Sequence, residues 1–268
     1  MRLVQLHVWI LFLVVLATFS CKKTDELTDF TEADEILLGE KLAAVISESP
    51  NYAIIPTEGN SIPYGYANSR LLELVNSSSI TKGEDFIWTI TLLEDESRQA
   101  FALPGGYFYV TTGMIFYLEN EDQFSGLLAH FVAHINQSHI TERLFFKYGV
   151  NGLKNIATSG DPESLNEIIE DLDLFNDFIQ LSRASELQAD TLAITILSET
   201  DQSCESSGVF LSRILNVQPT QQIALINSHR VEESRVESIE SAVMSAGCDT
   251  SIDSESANRY RSFRNSLP

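Results

Sequence analysis

Strand-type sequence is grouped in one short part of this chain, and the residues after it carry helical periodicity. Phe86 to Leu93 (FIWTITLL) is rich in β-branched and aromatic residues and reads as a strand. Ala100 to Leu103 and Tyr107 to Thr111 flank Pro104-Gly105-Gly106, a turn signal between two more short strands. From Gly113 the apolar spacing is helical nearly to the C-terminus. Two helices precede the strands, one over Thr31 to Ser47 started by Thr31 and a shorter one over Tyr66 to Val75. Strands first and helices after predict an α+β fold, a small antiparallel sheet beside a mainly helical body.

A chain of 268 residues with 44% hydrophobic content suits one domain with appendages and can build a real core. Acids outnumber bases 38 to 17, giving a formal charge of −21. That balance excludes a nucleic-acid partner, which requires clustered Lys and Arg against phosphates. The acidic surface mainly confers solubility.

The N-terminus runs from Arg2 through the apolar stretch Val8 to Ala17 to Thr18 and Ser20, directly before Cys21. This stretch is too short to span a bilayer and reads as the h-region of a signal peptide over residues 1–20. The placement of Cys21 resembles a bacterial lipobox, although Phe19 stands where a small residue is usual; the alternative is an ordinary cleavage site lying near a cysteine. Residues 21–31 form a polar tether, 32–248 the domain, and 249–268 a polar C-terminal tail. Export implies an oxidising compartment, in which the remaining pair, Cys204 and Cys248, is expected to form a disulfide; two unrelated buried thiols are the alternative.

Glu121 to His139 (EDQFSGLLAHFVAHINQSH) places acids at the start of a helix and an apolar stripe along it. His130 and His134, four apart, lie one above the other and can grip one metal ion. Such a pair alone is more often two surface or core histidines. Glu186 and Asp190 form a second four-residue pair, on another apolar-patterned helix within Leu181 to Ile194. Glu186 can complete a three-ligand site with an open fourth position, and Asp190 can accept the spare ring N–H of a ligating histidine. Taken alone, Glu186 between Arg183 and Gln188 would be a solvated face.

Four segments in order, AFALPGGYFYVTTGM at Ala100 to Met114, LLAHFVAHINQSH at Leu127 to His139, SRASELQAD at Ser182 to Asp190 and SHRVEESRV at Ser228 to Val236, resemble the gluzincin zinc metalloendopeptidases of the CaaX prenyl protease, HtpX and BepA family. The resemblance covers roughly Glu32 to Cys248. It implies a zincin-like domain holding one zinc ion through His130, His134 and Glu186, with Asp190 behind a ligand and His229 and Arg235 close to the active site. It also implies that the strand Ala100 to Leu103 is an edge to which an extended peptide pairs. The family's general base, the glutamate of HExxH, is absent, and Phe131 stands in its place. Gln99, Ser138 and Arg230 depart from the Asn, Arg and Pro frequent at those positions.

Phenylalanine cannot take a proton from a water that attacks a peptide carbonyl. The expectation is therefore a zinc-binding, hydrolytically inactive or severely impaired lipoprotein of the bacterial cell envelope, binding unfolded or envelope polypeptides or a protein partner. One alternative is an active metalloendopeptidase in envelope protein quality control with another base, for which His229 is the candidate. A metal-free binding module is the other.

Overall fold

The computed structural model describes residues 29–82, 84, 86–172, 181–205, 208, 209, 211, 212, 233–251 and 254–268. The signal-peptide and lipidation readings, Cys21, His229 and Arg230 lie outside the described residues.

Helix α1 (Glu32–Glu48) opens on a capping box: Thr31 Oγ1 accepts from the Asp34 backbone N–H and Asp34 accepts from that of Thr31. Helix α2 (Ser61–Val75) begins five residues before the sequence suggests, with Pro63 in its first turn, where a missing N–H costs nothing. Strands β1 (Thr89–Leu93), β2 (Ala100–Leu103) and β3 (Tyr107–Thr111) come next, then α3 (Thr112–Tyr117), α4 (Glu121–Asn136), α5 (His139–Tyr148), α6 (Val150–Ser159), α7 (Pro162–Leu172), α8 (Arg183–Ser198), α9 (Glu233–Ala246) and α10 (Ser254–Asn265).

The α+β class is as the sequence predicts, with one correction: the sheet is mixed, not antiparallel. Its order is β1-β3-β2, with β2 antiparallel to β3 and β1 parallel to it. The segment after β1 crosses the end of β3, where the Gly113 N–H donates to the Asp95 carbonyl and the Gln99 N–H to Thr111 Oγ1. β2 itself thus serves as the crossover that parallel neighbours need.

Strand alternation divides the core between the two faces of the sheet. Ile90, Leu92, Ala100, Ala102, Phe108 and Val110 pack with side chains of α2, α4 and α8. Leu93, Phe101, Leu103 and Tyr109 pack with α1 and α5 to α7. Gly39 of α1 lets that helix close on the turn between β2 and β3, since a Cβ there would lie 1.8 Å from the Pro104 carbonyl oxygen. Gly105, at φ +81°, supplies the turn conformation itself.

The C-terminal segment also needs correction, because residues 249–268 are not simply a polar tail. Helix α10 buries Tyr260 and Phe263 in the core shared with α4. Phe263 stacks on Tyr66 at 4.4 Å, Tyr260 donates to the Ile115 carbonyl, and Arg259 and Ser256 bond Glu121 and Asp122 at the start of α4. Two aromatic anchors in a strongly polar helix leave too little periodicity to register in the sequence.

Candidate metal centre

Helix α4 starts at Asn120, whose side chain accepts from the Gln123 N–H, and is buried along most of its length between the sheet and α8. Its four-residue repeat aims both histidines at α8, and α8 returns Glu186 to them. His130 Nε2 lies 3.0 Å from His134 Nε2 and 3.6 Å from Glu186 Oε2, and His134 Nε2 lies 3.7 Å from Glu186 Oε1. A tetrahedral ion with bonds of about 2.0–2.2 Å needs ligand atoms about 3.3 Å apart, and these distances bracket that spacing. His130, His134 and Glu186 are together a group able to hold a metal ion.

Charge also fits a cation. Glu186 and Asp190 are both buried, and Arg235 of α9, 1% exposed, meets both: Nη1 lies 2.7 Å from Glu186 Oε2, while Nε and Nη2 each donate to Asp190 at 2.8 Å. Two carboxylates against one guanidinium leave a buried negative charge, costly unless a cation joins it.

The outer nitrogens of both rings are engaged as well. His130 Nδ1 lies 3.0 Å from Asp190 Oδ1. Burial pushes the Asp190 carboxyl up, but the hydrogen bonds from His130 and Arg235 outweigh it and hold the pKa at about 2. His134 Nδ1 lies 3.0 Å from Nδ1 of His139, whose Nε2 lies 3.1 Å from Gln188 Oε1. Burial holds His139 below the ordinary histidine value, favouring its neutral ring.

Residues 63–243, the part of the chain that contains every one of these groups, match peptidase family M48. The chain belongs to peptidase family M48. Among curated proteins it is similar to the mitochondrial metalloendopeptidase OMA1 of Schizosaccharomyces pombe, 24% identical over 174 residues, 64% of this chain and 51% of the relative. The chain thus spans about half the length of that relative. M48 metallopeptidases are metal-dependent, and the two-histidine, one-glutamate group could hold such an ion.

Of the residues singled out in the sequence, the structure gathers His130, His134, Glu186, Asp190 and Arg235 into one cluster. Phe131, one position on from His130, is 2% exposed and turns toward the sheet, its ring edge-on to Phe108 of β3 at 6.5 Å. Cys204 and Cys248 come together with Cα atoms 6.3 Å apart, within the span of a disulfide.

Sequence reasoning missed His139 and Gln188. His139 comes five residues after His134 across a helix break, so helical spacing gave it no partner. The break is Ser138, at φ +55°, a conformation that L residues other than glycine rarely adopt. It is held by a buried ion pair: Ser138 Oγ donates to Glu35 Oε2 at 3.1 Å and accepts from Lys82 Nζ, which itself lies 2.6 Å from that Glu35 oxygen. Thr141 adds a 2.7 Å bond to the other Glu35 oxygen.

Proposed function

We propose that this chain is a zinc-binding M48 protein that hydrolyses peptide bonds poorly or not at all. It acts instead by binding polypeptides or a partner protein at the bacterial cell envelope, anchored through a lipid on Cys21. When bound, zinc would supply Lewis-acid polarisation of a carbonyl and a more acidic water. Hydrolysis also needs a side chain that takes a proton and returns it to the leaving amine. What supports the proposal is Phe131, which the motif resemblance sets at the position of that base and whose apolar ring is buried, edge-on to both His130 and Phe108. The two carboxylates of the cluster, Glu186 and Asp190, are held by Arg235 and by the histidines, which disfavours either as a substitute.

Binding without cleavage requires a surface for an extended chain. β2, outermost in the sheet order, supports pairing with one through main-chain hydrogen bonds.

The metal part of the proposal is tested on purified full-length protein by elemental analysis. Near one equivalent of zinc is expected, with loss of it in His134→Ala. Equal zinc in wild type and variant would place the metal elsewhere.

A further inference from the structure

We infer that His139, oriented by Gln188, is a positioning residue that fixes the tautomer of His134 and thereby sets the metal affinity of the site. The inference rests on the zinc reading above and concerns how the protein keeps the ligand ready.

A neutral imidazole has one N–H and one lone pair, on different nitrogens. Gln188 Oε1 is an acceptor, so His139 Nε2, 3.1 Å away, carries the proton and His139 Nδ1 keeps the lone pair. That lone pair faces His134 Nδ1 at 3.0 Å, so the proton there belongs to His134. His134 Nε2 is left with its lone pair directed at His130 Nε2 and Glu186, where the ion would sit. The opposite tautomer would aim an N–H at the metal position.

Asp190, clamped by Arg235, performs the same task for His130. Helix α8 therefore delivers one ligand, Glu186, and the anchor of each tautomer, Gln188 and Asp190, within five residues. His134 is 0% and His139 4% exposed, so solvent is poorly placed to substitute for the histidine contact. Ser138 turns the chain so that a residue outside α4 can reach back to His134, which gives the Glu35–Lys82 pair beneath it a place in the same device.

The test uses the full-length protein in detergent and two readouts. Zinc affinity is measured by competition with a chromogenic chelator, and histidine tautomers by long-range proton–nitrogen NMR on the metal-free protein. His139→Leu removes the acceptor and should weaken zinc binding about 10- to 100-fold. His139→Asn places a carbonyl oxygen near the position of Nδ1 and should restore affinity close to wild type. In the wild-type spectrum His134 should carry its proton on Nδ1. A folded His139→Leu protein with unchanged zinc affinity overturns the inference, as does a wild-type His134 protonated on Nε2, which needs no variant to fold. Failure of the wild-type chain to bind zinc would instead overturn the metal reading on which the inference stands.

Discussion

Arg235→Met is expected to destabilise the metal-free protein by about 3–5 kcal/mol, the cost of breaking a buried ion pair by removing one partner. Methionine roughly conserves the volume of a side chain that is 1% exposed, so the loss is chiefly electrostatic. It leaves Glu186 at 0% and Asp190 at 4% exposure without their shared guanidinium, and removes contacts of 2.7, 2.8 and 2.8 Å. For Asp190 alone, lowering from 3.8 to about 2 corresponds to roughly 2–3 kcal/mol, shared between Arg235 and His130. A depressed carboxylate pKa stabilises above the unfolded value and ceases to do so as pH falls through the folded one. Because the unfolded chains titrate alike, the gap between wild type and variant should be full above the pKa that Asp190 takes in the variant, where the guanidinium no longer offsets burial, and should narrow as pH falls toward 2. Zinc supplies positive charge to the same carboxylates, so the more negative variant site should gain more from the metal than wild type does. Urea unfolding in chelator and in excess zinc, repeated across that pH range, measures each part. A loss below about 1 kcal/mol in chelator at neutral pH would refute the claim that Arg235 balances two buried carboxylates.

Lys82→Met should cost a similar ~3–5 kcal/mol in thermal or urea unfolding, because it strands Glu35 beneath α5; a near-neutral effect would show that the pair does not hold the Ser138 turn. Non-reducing peptide mapping of protein from an oxidising compartment should recover a Cys204–Cys248 bridge, worth roughly 4 kcal/mol across a separation of 44 residues; two free thiols would refute it. Mass spectrometry of the mature N-terminus should find an acylated Cys21, and an unmodified cysteine or another cleavage site removes the lipid anchor.

Much of the fold was legible because its signals are local. The capping residue Thr31, the β-branched run before Leu93 and the Pro104-Gly105-Gly106 turn each specify their element from a few neighbouring residues. Strand pairing did not come with them. Nothing in a run of three strands says that the second will cross the end of the third and leave the first parallel to it. The candidate metal-holding group was legible because a four-residue spacing on one helix and a carboxylate on another form a chemical set. His139 was not, since its relation to His134 depends on the left-handed Ser138, which depends in turn on Glu35 and Lys82 far away in the chain. Helix α10 escaped for a different reason: its two core aromatics are outnumbered by polar residues facing water.

We propose that the metal site is intact and that the missing proton acceptor at Phe131 is what silences hydrolysis. The direct measurement is chelator-sensitive cleavage of an unfolded protein by wild type and Phe131→Glu, both loaded with one equivalent of zinc. Losing a general base typically costs about 10²- to 10⁴-fold in rate. Wild type should therefore be at or below detection, and Phe131→Glu should gain activity that chelator abolishes. Cleavage by the wild-type chain that chelator stops and His130→Ala eliminates would contradict the account.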